Sequence, residues 1–305
     1  MTEKIMECVP NFSEGRRPEV IAAIADEVRR IPGVMLLNQH VDADHNRSVL
    51  TFAGQPEGVV NAAFAAIAKA AQLIDMDHHQ GVHPRLGAAD VVPFVPLQGM
   101  TMDECVEMAR VLGGRVGEQL GLPVYLYQAA ATRADRVHLE DVRRGQYETL
   151  KTSIESDPNR VPDFGPRKVG TAGAVIIGAR KLLVAFNVFL TTDDVSIARK
   201  IAAAVRHSSG GLRYLKALGV LVKGRAQVSM NFTDFKQTPL ARVVELVRRE
   251  AERYGVGIHH TELVGMMPVE ALAEAAQWYL QLDDFDASRI LETRINIAKE
   301  IQRLE

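Results

Sequence analysis

The sequence predicts an α+β fold made of two ferredoxin-like βαββαβ-type subdomains, related by internal duplication, with a ligand cleft between them. Three observations carry this expectation. Strand and helix periodicities follow one another in the order β-α-β-β-α-β over residues 4–97. A less hydrophobic stretch at 133–178, ending in a run rich in Pro and Gly, interrupts the pattern, and the same order then restarts. The 305 residues, 47% of them hydrophobic, also supply ample material for two lobes. The expected division is 1–178 for an N-terminal subdomain and 179–305 for a C-terminal one. A cleft between related lobes is a natural ligand site.

The elements follow in order. Residues 4–10 (KIMECVP) read as a short strand, and Val20, Ile21, Ile24, Val28 and Ile31 recur at helical spacing until Pro32-Gly33 stops the helix. VMLLNQHV and RSVLTFAG are two strands joined by the polar turn Asp42 to Asn46, and Pro56 opens an alanine-rich helix to about Ile74. DVVPFVPL is the next strand. TMDECVEMARVLGGRVGEQLG, a third helix, and PVYLYQ, one more strand, extend the unit. After the break, KLLVAFNVFL is a strand, VSIARKIAAAVR a helix, KALGVLVKG and AQVSMNFTDF a strand pair, and PLARVVELVRREAERYG a helix. GIHHTELVGMMP closes the second unit with a histidine-bearing segment, much as HHQGVHPRLG follows the second helix of the first.

Charge and composition exclude several classes. A formal net charge of −2, with 36 basic residues among 38 acidic ones, creates no global field for nucleic acid or an anionic membrane. Cys8 and Cys105 support neither a disulfide framework nor a multi-cysteine metal site, which fits a reducing, cytoplasmic setting. The opening MTEKIMECVPNF turns polar too soon for a signal peptide, and no apolar run approaches the roughly 20 residues that span a bilayer.

The densest polar cluster is Asp77-His78-His79-Gln80-Gly81-Val82-His83-Pro84-Arg85-Leu86-Gly87, too rich in Gly and Pro for a helix and therefore a loop, where catalytic groups are commonly presented. His79 and His83 have the spacing of a helical zinc pair, but Gly81 and Pro84 oppose that helix, and no metal is expected. His78 and His79 suit supporting roles, while His83, restrained between Gly81 and Pro84-Arg85, suits an oriented acid/base. A second cluster, Asp42-Ala43-Asp44-His45-Asn46-Arg47-Ser48, has the composition of a tight turn whose polar side chains satisfy nearby backbone. Phe164-Gly165-Pro166-Arg167-Lys168-Val169-Gly170-Thr171-Ala172-Gly173 could be a linker or could approach a flat or anionic ligand closely. Gly113-Gly114-Arg115-Val116-Gly117 superficially matches a nucleotide fingerprint, but it lies inside a helical pattern with no strand before it. Asn11, in Asn11-Phe12-Ser13-Glu14-Gly15, could cap the first helix or face a ligand. Asn187 and Asn231, polar among strand-like neighbours, need partners or a cleft.

Taken together, these segments resemble the glutamate formimidoyltransferase family, including the formiminotransferase part of the bifunctional formiminotransferase-cyclodeaminase. ECVPNFSEG, DADHNRSVLTFAG, LIDMDHHQGVHPRLGAADVVPFVPLQGMTMDEC, GLPVYLY, PDFGP, GARKLLVAFNV, AQVSMNFTDF and ELVGMMP occur in the family's order over nearly the whole chain. The resemblance implies transfer of a formimino group from N-formimino-L-glutamate to N5 of tetrahydrofolate, in histidine degradation, with the folate as co-substrate between two lobes of a dimer. It implies His83 as the catalytic histidine and Gly165, Pro166, Arg167, Lys168, Val169, Gly170, Thr171, Ala172 and Gly173 as the folate-binding stretch. The chain ends soon after the second lobe, so ammonia release is expected to fall to a separate cyclodeaminase.

The chemistry of that reaction assigns further expectations. The formimino donor is an amidine, largely protonated near neutral pH, so carboxylates suit its site, and Asp42 or Asp44 would hold the amidinium. An imidazole titrating near neutrality can carry the proton from the attacking to the departing nitrogen, the role expected of His83. Arg47, Arg85, Arg167 and Lys168 are the candidate cations for substrate carboxylates, with His45 and Asn11 as further contacts. Alternatives on the same scaffold are a 5-formyltetrahydrofolate cycloligase, a glutamate formyltransferase, a folate-binding protein without turnover, and a hydrolase using His78, His79 and His83 around a metal.

Overall fold

The computed structural model describes residues 4–304. The chain divides into two compact units, Met1–Lys181 and Leu182–Glu305.

In the first unit, β1 (Met6–Cys8) and β2 (Asn11–Phe12) occupy one lane of the sheet, both pairing antiparallel with β4 (Arg47–Gly54) and with β5 (Ala89–Pro96). They are separated at Val9-Pro10, where Val9 donates its N–H to the carbonyl of Pro93. Pro10 and Pro93 lack the N–H a ladder needs, so the lane breaks there and the chain after it turns towards the site. Helix α1 (Pro18–Arg29) begins at a proline and buries Val20, Ile21, Ile24, Ala25 and Val28. Strand β3 (Val34–Asp42) pairs with the outer side of β4, and α2 (Pro56–Leu73) leads to β5. The lane order β3-β4-(β1/β2)-β5 is the ferredoxin-like arrangement, with β4 buried along nearly its whole length.

Helix α3 (Met102–Leu120) starts with a capping box between Thr101 and Glu104 and stops at Gly121 in the left-handed conformation. Strand β6 (Val124–Gln128) follows. The charged stretch contains α4 (Leu139–Val142) and α5 (Gln146–Ser153). Strand β7 (Val175–Ala179), which the sequence reading had left in the connecting stretch, inserts between β5 and β6, parallel to both. The fingerprint-like glycines serve packing: a Cβ on Gly113 would sit 2.9 Å from the Phe164 ring, and one on Gly117 would sit 2.6 Å from the Gly165 nitrogen.

The second unit repeats the topology with β8 (Val184–Leu190), α6 (Val195–Val205), β9 (Leu215–Val222), β10 (Arg225–Phe232), α7 (Leu240–Glu252) and β11 (Ile258–Val264), in sheet order β11-β8-β10-β9. Its core gathers Val188, Ile201, Val228, Phe232, Val243 and Val247. Helices α8 (Val269–Leu280) and α9 (Leu291–Leu304) follow. His259 and His260 lie in β11, an edge strand whose register with β8 shifts between Ile258 and His260, whereas the histidines of the first unit lie in the loop before β5. The histidine segments therefore do not correspond within the repeat. Asn187 donates to Glu262 at 3.0 Å across the β8–β11 pair, while Asn231 is exposed on β10.

Candidate active site

The segment after the break in the first lane, the β3–β4 turn, the start of β4 and the loop leading into β5 bring their polar residues to one recess of the first unit, lined by Asn11, Ser13, His45, Asn46, Arg47, His79, His83, Arg85 and Asp90. The turn is held by its first residue. Asp42 Oδ1 accepts from the backbone N–H of Asp44 at 3.0 Å and of His45 at 2.9 Å, and Oδ2 faces His45 Nδ1 at 2.6 Å. Burial works to raise the Asp42 pKa, yet the hydrogen bonds from the His45 ring and backbone, with the nearby Arg47 charge, hold it well below the usual carboxylate range. An ionised carboxylate only accepts, so the His45 proton sits on Nδ1. Asp42 thereby orients His45, and Asp44 remains exposed.

Asn46 joins this turn to two other segments. With φ +49°, it accepts from the Gly15 N–H at 2.9 Å and donates to the Gln80 carbonyl at 2.9 Å. The approach is close on both sides, since a Cβ on Gly15 would lie 2.2 Å from the Asp42 oxygen and one on Gly81 2.5 Å from the His45 oxygen.

His83 and Arg47 meet at the centre. Arg47 Nη1 lies 2.9 Å from His83 Nε2 and donates to Asn11 Oδ1 at 3.2 Å. The His45 and His83 rings are edge to face, 6.3 Å between centroids. Burial pushes the His83 pKa down to about 2, with the Arg47 and Arg143 charges and His45 adding to the effect. The sequence predicts an imidazole titrating near neutrality, but burial and the neighbouring cations keep it a free base throughout the neutral range. Arg47 itself has its pKa lowered by burial and by Arg143, against the opposing charges of Asp42 and Asp90. Buried Asp90 pairs with Arg143 and accepts from the Leu86 N–H at 2.8 Å. Among the described residues, the buried side-chain atoms without a hydrogen-bond partner are Asn38 Oδ1, Arg47 Nε, Ser48 Oγ and Arg143 Nε. Two of them belong to the guanidiniums beside His83, and each unsatisfied group costs about 1–3 kcal/mol. That concentration of unmet polarity marks the recess as built for something other than its own stability.

The other two histidines of the loop have different partners. His79 Nε2 faces the Asn46 carbonyl at 3.0 Å, and its Nδ1 accepts from Arg85 Nε at 3.2 Å. Burial lowers the His79 pKa first, Arg85 contributing in the same direction. His78 is exposed and pairs with Asp75. The three imidazoles thus face three separate partners, and among the described residues no group of three or more His, Cys, Asp or Glu side chains is placed to hold a metal ion. Arg85, only 7% exposed, makes a forked pair with Glu148 at 2.6 and 3.0 Å and donates to Gln146 at 3.0 Å. Its guanidinium is committed to holding α5 against the loop.

The glycine-rich stretch lies beside the same loop. Met76 donates to the Thr171 carbonyl at 2.7 Å, Ala88 to Ala172 at 2.8 Å and Ala174 to Leu86 at 3.0 Å, while Gly87 bridges Gly173. Gly173, at φ +73°, would place a Cβ 2.3 Å from the Leu86 oxygen. Arg167 Nε donates to the Ile154 carbonyl at 2.7 Å, and Val169 is buried. Gly165, Pro166, Lys168, Gly170 and Thr171 are exposed, with open space beside Gly170.

Sequence reasoning missed Asp90, Arg143, Gln146 and Glu148. Asp90 reads as the edge of a strand and the other three as a solvated charged helix; only their partners, 53 to 63 residues away in sequence, distinguish them.

Comparisons with known proteins agree along the whole chain. Residues 5–180 match the formiminotransferase domain, N-terminal subdomain, and residues 185–305 match the formiminotransferase domain. A protein of Thermoplasma acidophilum described as glutamate formimidoyltransferase is 49% identical, covering 98% of this chain and 99% of its own. One of Streptococcus pyogenes with the same description is 45% identical over 96% and 99%. The formimidoyltransferase-cyclodeaminase of Rattus norvegicus is 42% identical over 99% of this chain, which spans 56% of that longer protein.

Proposed function

The chain belongs to the formiminotransferase domain family, and from that membership we propose that it is a glutamate formimidoyltransferase, moving the formimino group of N-formimino-L-glutamate to N5 of tetrahydrofolate. The observation that carries the reading is the end-to-end match to relatives of that description. These relatives are described as formimidoyltransferases, which favours this reading over the cycloligase and formyltransferase alternatives.

The recess supports the chemistry. Tetrahydrofolate, as co-substrate, supplies N5 as nucleophile, and the exposed strip Gly165–Lys168 and Gly170-Thr171 beside the histidine loop suits a flat, anionic ligand. The residues assigned to it are the backbone of that strip and Lys168. His83, held neutral, accepts at Nε2 the proton released at the attacking nitrogen and returns it to the departing glutamate nitrogen. Asp42 fixes His45 beside it, and this carboxylate's anionic state favours a cationic amidinium nearby. Arg47 and Arg143 are the cations for a substrate carboxylate; Arg85 serves the scaffold. A homodimer in the cytoplasm completes the proposal. Among the described residues no helix is long and apolar enough to cross a membrane.

The test is release of L-glutamate by the purified protein given N-formimino-L-glutamate and tetrahydrofolate. Release that needs both substrates and no ATP is expected. Activity with N-formyl-L-glutamate only, or folate binding with no glutamate released, overturns the reading.

A further inference from the structure

One Arg47 nitrogen holds His83. Nη1 carries two hydrogens: one is directed to Asn11 Oδ1 at 3.2 Å, the other to His83 Nε2 at 2.9 Å. A guanidinium has no lone pair to offer and does not lose its proton, so Nε2 must be the acceptor and the His83 hydrogen must sit on Nδ1, next to the Pro84 backbone. The lone pair that would take a proton is therefore already engaged by Arg47.

Asn11 and His83 are weak reasons for a guanidinium to stay. Both are neutral, whereas a carboxylate forms hydrogen bonds with a guanidinium roughly twice as strong. Arg47 Nε is buried with no partner, as is Nε of neighbouring Arg143, so the pair lacks an anion on that side. The charged and titratable groups facing His83 are Arg47 from β4, Arg143 after α4 and His45 from the β3–β4 turn, with Asp42 and Asp90 facing Arg47. No carboxylate reaches His83 directly in that set.

We infer that Arg47 is a carboxylate-operated latch on His83: its guanidinium occupies Nε2, and a carboxylate of the formimino donor draws it away and frees Nε2 for proton transfer. The inference rests on the reaction proposed above. In it Arg47 is a positioning residue, acting on the proton carrier by leaving it. The latch couples the base to the arrival of the correct donor, because a ligand lacking the carboxylate leaves Nε2 occupied.

The experiment is an NMR titration of the His83 ring in isotopically labelled protein, assigned with His83→Gln and read without turnover. L-Glutamate, which carries both donor carboxylates and no formimino group, is the probe. The His83 midpoint is expected to rise by more than about one pH unit in saturating L-glutamate, as the ring loses a cationic neighbour. It is expected to rise comparably in Arg47→Met without ligand, where the chain length is kept and the charge removed. A midpoint unchanged by L-glutamate overturns the latch, as does one unchanged in Arg47→Met. If that variant fails to fold, the wild-type titration decides alone. A glutamate-dependent rise in a protein that shows no transfer would leave the latch standing and remove the proposed reaction; transfer with an immobile midpoint would do the reverse.

Discussion

The two units share a strand order and differ at one hairpin. In the first, β3 and β4 are joined by four residues between the paired Asp42 and Arg47; that turn carries His45 and an Asn46 at φ +49°, and Arg47, whose guanidinium meets His83, opens β4 directly after it. In the second, β9 and β10 are joined by two residues, Lys223 and Gly224, between the paired Val222 and Arg225. Both have positive φ, +50° and +71°, the geometry of a tight hairpin turn that matches the twist of its strands. One turn is shaped by its duty to the sheet alone, the other by contacts to Gly15, Gln80 and His83. The lesson is that the two units share a scaffold, and that the longer of the two hairpin turns is the one whose residues line the recess.

The largest effect should come from the group that this longer turn serves. His83→Gln keeps a polar side chain but cannot take and return a proton, so turnover should fall about 10²–10⁴-fold with tetrahydrofolate affinity nearly unchanged. Steady-state rates beside equilibrium folate binding would check it. Near wild-type turnover would move the chemistry away from the first unit's recess and break the comparison at its root.

Asn46 tests whether the turn is also a structural clasp. Asn46→Ala removes two hydrogen bonds to backbone and places a Cβ residue without local support at positive φ. At about 1 kcal/mol for each of these, the loss of stability should be about 2–4 kcal/mol, with Asn46→Gly about 1 kcal/mol less severe. Denaturant midpoints would show the difference. Equal losses in the two variants would mean that backbone conformation contributes nothing at this turn.

Acid sharpens the contrast further. His83 is pushed down to about 2 from an ordinary value of 6.5. Its unfolded form therefore binds a proton below about pH 6.5 while the folded form does not. Its contribution is complete above that pH and is lost as pH falls towards the folded value, by at most about 1.4 kcal/mol per pH unit. Wild-type stability should then drop more between pH 7 and pH 5 than that of His83→Gln. Parallel drops would show that the imidazole is protonated in the folded recess.

Much of this scaffold was legible in the sequence because its signals are local. Val20, Ile21, Ile24 and Val28 announce α1, Pro56 announces α2, and the βαββαβ order repeats without help from tertiary contacts. Strand β7 was missed because its β-branched Val175-Ile176-Ile177 is only three residues long between glycine-bearing segments, too short to show a period; parallel pairing to β5 and β6 makes it a strand. The recess divides the same way. His83 stood out by its restrained setting, but its ionisation did not, since Arg47 and Arg143 reach it from 36 residues before and 60 residues after only once the chain has folded. Arg85 looked like a ligand for anions until Glu148, from an apparently solvated helix, was found to occupy it.

The smallest expected effect belongs to the short turn, and it decides whether that turn is as purely structural as the comparison holds. Lys223 is exposed at φ +50°, a conformation that costs most side chains energy and that Asn tolerates, and Asn-Gly is the favoured pair for a two-residue hairpin of this kind. Lys223→Asn should therefore stabilise the protein by about 0.3–1 kcal/mol, as relief of backbone strain at a surface site generally does. Turnover and both Michaelis constants should not change. The measurement is a denaturant midpoint paired with steady-state kinetics on the same preparation. A gain in stability with unchanged rates is what a turn built only for its sheet must give. If Lys223→Asn instead raises the Michaelis constant for tetrahydrofolate, the lysine is reaching the anionic end of the folate, and the second unit contributes chemistry that its two-residue turn conceals.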